Sequence, residues 1–297
     1  MTRPCLIIGH RGARGLYPEN TLAGFVGALA LGVDALELDV GLSADNVVAV
    51  THDPALNPEI TRDASGTWLS SVGPRIRTLT MAELATYDVG RLQPASAYAA
   101  LFPAQSACDG EHIPALRDVL CLSANVQLII ELKTFPVATS QSPSTTELAE
   151  AVVATAESAL ALSRITVESF DWRGPRHLRR LRPEVRLAWL TRAETVRDAA
   201  LWWGGPHPTD FGGSVPRTVA AEGGPIWAPD HTDLRHEQVE EAHTLGLSVI
   251  AWTVNDPADM RRYLAWGVDG IITDYPDRAR PLVACTAHTV STQPMNC

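Results

Sequence analysis

The chain has no hydrophobic run approaching the roughly 18 consecutive apolar residues that mark a membrane helix, although 45% of its 297 residues are apolar. That apolar content is therefore available for a core. It suits one large domain over 1–297, a size that α/β barrels reach as single domains. The apolar run before His10 is too short for a secretory leader, and the chain reads as cytoplasmic. Cysteine is scarce and scattered: Cys5, Cys108, Cys121, Cys285 and Cys297 are odd in number and none has CxxC spacing, which excludes a zinc-finger site or a disulfide frame. Positive charge is in deficit. With 24 Lys+Arg against 34 Asp+Glu the net charge is −10, which argues against a nucleic-acid or anionic-membrane binder. An anionic small substrate is still allowed, because local cations decide that.

What is present begins at Leu6. The run Leu6-Ile7-Ile8 reads as a buried strand. It ends on Gly9-His10-Arg11-Gly12, so an imidazole and a guanidinium sit where strand gives way to loop, between glycines that let the backbone turn sharply. Asn20 is then placed to cap a helix through Ala23, Phe25, Val26, Leu29 and Ala30, closed by Gly32. The rest of the chain repeats this strand, loop and helix with different chemistry at each strand end. In 35–40, Leu36, Leu38 and Val40 face one way and Glu37 and Asp39 the other. A turn leads to an apolar run at 47–51, ending in His52-Asp53-Pro54.

From 55 to 112 the periodicity weakens, and Gly, Pro, Ser and Thr become frequent. This segment reads as an insertion of 55–60 residues over the mouth of the fold, with a short helical piece at 81–87. Strands follow at 126–133, carrying Glu131 and Lys133, then at 165–169, 185–190, 225–229, 247–252 and 270–274. Helices are expected at 114–122, 147–160, 173–181, 194–202, 234–245 and from 257 to about 266; 204–224 has no clear pattern, and the polar tail from about 287 reads as frayed. His236 and His243 share a helix face but lack the acidic partners of a metal site. Eight β/α units with one extra hairpin strand specify a (β/α)8 TIM barrel.

In such a barrel every C-terminal strand end lies at one mouth. That rule gathers His10, Arg11, Glu37, Asp39, His52, Glu131, Lys133 and Asp274, with the aromatics Phe170 and Trp252 at the same level. Each alone has an ordinary structural explanation, such as a solvated strand face, a helix cap or a core aromatic. Their convergence is harder to explain as structure. Glu37, Asp39 and Glu131 place three carboxylates around one spot. Buried like charges cost several kcal/mol unless neutralised, and a hard divalent cation with oxygen ligands, Mg²⁺ or Ca²⁺, is the natural counter-charge. The ligand set lacks the Cys or extra His of a zinc site. Arg11 and Lys133 suit a phosphate, as a fork and a point charge. His10 and His52 suit proton transfer near neutral pH. Together they describe hydrolysis of a phosphodiester.

The ordered motifs HRGARGLYPENT, ELDV, THDP, ELK, SF, WTVN and GIITD, spanning about residues 6 to 280, resemble the glycerophosphodiester phosphodiesterase family. The resemblance implies a TIM barrel with an insertion after the His-Asp pair. It also implies metal-dependent hydrolysis of glycerophosphodiesters, such as glycerophosphocholine and glycerophosphoethanolamine, to sn-glycerol 3-phosphate and an alcohol. Carried over by position, Glu37, Asp39 and Glu131 would be metal ligands, and His10 and His52 the acid/base pair. Arg11 and Lys133 would hold the phosphate, and Phe170 and Trp252 would wall the glycerol pocket. The choice of alcohol, of Mg²⁺ or Ca²⁺, and of which histidine is the acid stays open, as does the oligomeric state. Three rivals use parts of the same pattern. A lysophospholipase D-like enzyme needs an apolar lipid surface, for which only Trp68-Leu69 and Leu101-Phe102 offer themselves. A non-catalytic phosphodiester-binding barrel is expected to have lost a histidine or a ligand, and this chain keeps them. Other metal-dependent barrel hydrolases gather histidine ligands, whereas this set is carboxylate.

Overall fold

A computed structural model describes residues 4–138 and 141–290. Its strands are β1 (Leu6–Gly9), β2 (Ala35–Leu42), β3 (Val48–Val50), β4 (Gln127–Leu132), β5 (Ile165–Ser169), β6 (Arg186–Thr191), β7 (Ile226–Pro229), β8 (Ser248–Ala251) and β9 (Gly270–Thr273). All but β3 are parallel, and β1 pairs with both β2 and β9, so eight strands close into a TIM barrel. β3 folds back antiparallel on β2, with Val40 opposite Val50. The helices are α1 (Leu22–Ala30), α2 (Met81–Leu84), α3 (Ala97–Leu101), α4 (Leu116–Leu122), α5 (Thr145–Ser158), α6 (Arg173–Leu181), α7 (Ala193–Arg197), α8 (Ala199–Trp202), α9 (Val215–Glu222), α10 (His236–Thr244), α11 (Pro257–Trp266) and α12 (Pro276–Val290). No described helix is long and apolar enough to cross a membrane.

Strand alternation separates two environments. Leu36, Leu38 and Val40 of β2 and Leu128, Ile130 and Leu132 of β4 pack outward with Phe25, Leu148 and Val152. Each such side chain contributes about 1.5–3 kcal/mol by leaving water. Inside the barrel, Ile8, Ala35, Ile129, Ala188, Ile226, Ile250 and Ile272 form a dry floor. The next inward positions toward the mouth are Glu37, Asp39, Glu131 and Glu168, and the pairing sets Asp39, Glu131 and Glu168 in one row across β2, β4 and β5. A third cluster holds Trp172 stacked on Trp203 at 3.9 Å, with Trp189 edge-on at 5.1 Å.

The segment at 55–112 has a small core of its own, Leu56, Ile76, Leu84 and Val89, packed with Ile113 and with Ala49 of β3. It lies against the β1–α1 loop: Gln105 donates to the Arg14 carbonyl at 2.8 Å, Ser106 N–H to the Leu16 carbonyl at 2.8 Å, and the Arg14 guanidinium covers the Phe102 ring at 4.7 Å.

The structure corrects several local expectations. Thr21, not Asn20, caps α1, its hydroxyl accepting from Gly24 N–H at 3.0 Å. Asn20 adopts φ 55° and turns its amide to Asp39 instead. The helix expected over 194–202 breaks at Asp198 into α7 and α8. The unassigned 204–224 holds α9, capped by Ser214 and closed by Gly223. At 81–87 a single helical turn forms, held by the reciprocal Thr80–Glu83 cap. α12 runs to Val290, past the expected start of the frayed tail, and 291–297 lie outside the described residues. Cys5, Cys108 and Cys121 are free thiols; the side chains of Cys285 and Cys297 lie outside the described set.

The loop after β1 is tightly packed. A Cβ on Gly9 would sit 2.0 Å from the Gly12 carbonyl oxygen, and Gly12 itself has φ 90°. Gly9→Ala must displace this backbone, and overpacking of this kind costs about 1–3 kcal/mol. Urea unfolding of Gly9→Ala against the parent chain measures that loss; an unchanged midpoint contradicts the packing described.

Candidate active site

The Gly9–Gly12 turn presents His10 and Arg11 to the barrel interior. Arg11 takes φ 50°, and its N–H donates to Glu37 Oε2 at 2.9 Å. The backbone of one strand end thus holds a carboxylate of the next. The Arg11 guanidinium donates to Glu19 at 2.9 Å and lies 3.0 Å from Asp39. His10 Nδ1 meets Asp274 Oδ1 at 2.6 Å, leaving Nε2 directed toward Glu37 at 3.8 Å. Asp274 is itself fixed by Arg14, at 3.0 and 3.1 Å, and by the Asn255 amide at 2.7 Å. His52 follows β3, and its Nδ1 meets Asp53 at 2.7 Å. Lys133 lies 2.9 Å from Glu131 and 3.4 Å from Asp39.

One cavity of about 360 Å³ at the mouth is lined by His10, Arg11, Glu37, His52, Glu131, Lys133, Phe170 and Trp252. Asp39, 1% exposed, lies beneath it against Arg11 and Lys133. The nine residues given roles from the sequence therefore meet at one place, and Asp274, gathered with them at the strand ends, lies behind His10. Phe170 and Trp252 stand edge to face at 5.4 Å. His236 and His243 lie elsewhere, against Trp266 and Asp269 on the outer helices.

The electrostatics are those of crowded carboxylates. Burial, reinforced by Asp39 and Glu168, pushes the Glu37 carboxyl well above its ordinary range. Burial likewise raises Glu131, against the opposing pull of Lys133. For Asp39 burial also pushes upward, but Arg11 and Lys133 outweigh it and hold the group ionised. Oxygens of Glu37, Asp39 and Glu131 lie within 4.8 Å of one another, the only such group among the described residues. Asp39 Oδ1 is buried without a hydrogen-bond donor, since Lys133 at 3.4 Å lacks the geometry. A buried anionic oxygen in that position is costly unless a cation meets it. The three carboxylates therefore fit a metal ion on their own chemistry.

The family model described as the glycerophosphoryl diester phosphodiesterase family matches residues 10–278. The chain belongs to this phosphodiesterase family. It is an enzyme of that kind. The YhdW protein of Bacillus subtilis (strain 168) is 31% identical over 91% of this chain and 95% of its own length. A second protein of that organism, named glycerophosphodiester phosphodiesterase, is 28% identical over 92% of this chain and 84% of its own. Among solved structures, one from Silicibacter pomeroyi DSS-3 aligns with TM-score 0.86 and 38% identity over 96% of this chain and 94% of that one. An Oleispira antarctica phosphodiesterase in complex with the product sn-glycerol-3-phosphate aligns with TM-score 0.71 over 95% of this chain and 97% of that one; at 21% identity it bears on the fold.

Within this phosphodiesterase several site residues escaped the sequence reading. Glu19 and Asn20 belong to the PENT segment and hold Arg11 and Asp39. Arg14 and Asn255 fix Asp274. Tyr98, on α3, donates to Glu19 and receives Arg14 at 3.2 Å, tying the 55–112 segment to the same network. Glu168, Arg192 and Trp202 line the cavity. Of these, Glu168 carried a usable signal, the alternation of Thr166 and Glu168 with Ile165 and Val167 in β5.

Burial brings the His10 imidazole down from 6.5 to about 4, with Asp274 pulling the other way and Arg14 adding to the fall. The folded protein therefore resists the proton that the unfolded chain accepts below pH 6.5. Stability tied to His10 is present above that pH and is lost as pH falls toward 4, by about 3 kcal/mol in the limit. Denaturant unfolding between pH 7 and 4 is expected to show a shallower loss in His10→Gln than in the parent chain. Equal slopes would remove His10 as the source.

Proposed function

We propose that this phosphodiesterase hydrolyses glycerophosphodiesters, such as glycerophosphocholine and glycerophosphoethanolamine, to sn-glycerol 3-phosphate and an alcohol, with His10 and His52 as the acid/base pair. The observation that carries this reading is the meeting of two histidines, two cations and three clustered carboxylates in one cavity. Glu37, Asp39 and Glu131 would hold one divalent cation, Mg²⁺ or Ca²⁺, in keeping with an all-oxygen donor set. When bound, it would supply charge to the phosphoryl oxygens as a Lewis acid.

The chain's own groups do the rest. Asp274 keeps the Nδ1 proton of His10 and leaves Nε2 facing the cavity as a proton acceptor or donor. Asp53 does the same for His52, whose side chain remains 34% exposed beside the 55–112 segment. Two imidazoles oriented in this way can serve the attacking and leaving oxygens of one displacement. Arg11 and Lys133 would face the phosphate, each held in place by carboxylates. Phe170 and Trp252 would cover the C–H face of the glycerol, and the 55–112 segment, anchored through Tyr98, would form one side of the mouth.

A coupled assay for glycerol 3-phosphate with glycerophosphocholine, run beside lysophosphatidylcholine, tests the reading. EDTA is expected to abolish release, and Mg²⁺ or Ca²⁺ to restore it. His10→Ala and His52→Ala are each expected to lower kcat by about 10²-fold or more, and full activity in His52→Ala removes the two-histidine mechanism. Turnover of lysophosphatidylcholine, read as choline or lysophosphatidic acid, would make the lysophospholipase D reading the better one. Glu131→Gln is expected to weaken metal binding in calorimetry, and unchanged affinity takes Glu131 out of the ligand set.

A further inference from the structure

Two charged supports of the site end on one neutral atom, the hydroxyl oxygen of Tyr98. That hydroxyl donates to Glu19 Oε2 and accepts from Arg14 Nη1 at 3.2 Å. With its other oxygen Glu19 holds the Arg11 guanidinium at 2.9 Å. With Nε and Nη2 Arg14 holds both oxygens of Asp274, at 3.0 and 3.1 Å, and Asp274 in turn meets His10 at 2.6 Å. The placement is reinforced from several sides. Phe102, four residues on and at the end of α3, lies under the Arg14 guanidinium at 4.7 Å and packs edge-on to the Tyr98 ring at 5.2 Å. The Tyr98 backbone N–H donates to Glu59 at 3.1 Å. Burial, with Glu19 adding to it, holds the phenol well above its ordinary range, so it keeps the proton it donates. The side chains of Arg11, Glu19 and Arg14 are each 15% exposed or less, so water screens their charges poorly.

We propose that Tyr98 is a positioning residue that keeps Glu19 and Arg14 apart, so that Glu19 stays on Arg11 and Arg14 stays on Asp274. This rests on the proposed diesterase reading, in which Arg11 faces the phosphate and His10 moves a proton. The physical reason is competition between partners. Glu19 and Arg14 carry opposite charges and stand on either side of one oxygen. With a donor and an acceptor between them, each is satisfied and each keeps its second partner. Without the hydroxyl, Glu19 Oε2 loses its donor and Arg14 Nη1 its acceptor, a costly state for buried charged groups. Direct pairing of the two is the nearest remedy. That pairing draws the guanidinium off Asp274 and the carboxylate off Arg11. The 55–112 segment thereby sets a phosphate-facing cation and a proton-transfer imidazole together, through Glu19 and Arg14 rather than by contact with substrate.

The test compares the parent chain with Tyr98→Phe, which keeps the ring and its packing. Kinetics use glycerophosphocholine with Mg²⁺, and calorimetry uses inorganic phosphate in the same buffer. Tyr98→Phe is expected to lower kcat/KM by roughly 10- to 100-fold, the scale of lost hydrogen bonds to charged groups. The loss is shared between a lower kcat, through His10, and a higher KM, through Arg11, and phosphate affinity falls with it. Arg14→Gln removes the competing charge. Adding Tyr98→Phe to that variant is expected to cost less than in the parent chain by about 3-fold or more, beyond the scatter of independent sites. Leu101→Ala, on the same helix and 65% exposed, is expected to match the parent chain. A Tyr98→Phe enzyme with parent kinetics and phosphate affinity overturns the positioning role and leaves the diesterase reading intact. A fall in kcat alone marks a smaller folded fraction, equal costs in both backgrounds mark no competition with Arg14, and a matching loss in Leu101→Ala marks packing of the segment; each overturns the role. If the parent chain hydrolyses no diester but binds phosphate, and Tyr98→Phe weakens that binding more with Arg14 present than in Arg14→Gln, the positioning role stands and the diesterase reading falls. A parent chain that neither hydrolyses the diester nor binds phosphate overturns both.

Discussion

The mouth of the barrel is governed by repulsion among carboxylates placed too close together and too deep for water to relieve. Asp39, Glu131 and Glu168 share one row, with Glu37 one step below, and each is 9% exposed or less. An apolar floor beneath them gives no relief. Arg11 and Lys133 offset the charge from within, and the cost of leaving like charges buried is several kcal/mol. The neighbouring arrangement follows from that constraint. Arg11 is held by Glu19, a backbone N–H is spent on Glu37, and the Asn20 amide is turned to Asp39 at the expense of the helix cap, which passes to Thr21.

A second layer converts this charge balance into orientation. Asp274 receives His10, both arms of Arg14 and the Asn255 amide, so one carboxylate from β9's end fixes a histidine from β1's end. Closure of the barrel is what makes this possible, since β1 and β9 are adjacent only because the sheet returns on itself. The 55–112 segment enters the same network through Tyr98, whose partners Glu19 and Arg14 stand on either side of Arg11 and His10. The 55–112 segment, with a small core of its own, is thereby linked to the site by polar contacts.

Much of this was legible before any coordinates. Strands at 165–169 and the basic helix at 173–181 fall where periodicity places them, because each is bounded by polar residues and has an unambiguous period. The site residues were legible because barrel topology sends strand ends to one mouth, so a list of charged strand ends becomes a list of neighbours. The misses have local causes. α9 is a short helix enclosed by glycines, and the break falls at Asp198, where the sequence offers no Gly or Pro to mark it. Arg192 and Trp202 sit past strand ends in loops and short helices, where no period marks which way a side chain points.

Residue type and alternation by themselves determined the fold class, which charged strand ends gather at the mouth and the sign of the problem they pose, because in a strand every second residue faces the same way. Partner choice was decided only in three dimensions. That Asp274 serves His10, that the Asn20 amide turns to Asp39, and that Tyr98 reaches Glu19 all depend on distances between segments apart in the chain. Hydrogen bonds and ion pairs act over about 3 Å, and no pattern along a sequence specifies which of several eligible groups will arrive at that distance once the barrel has closed.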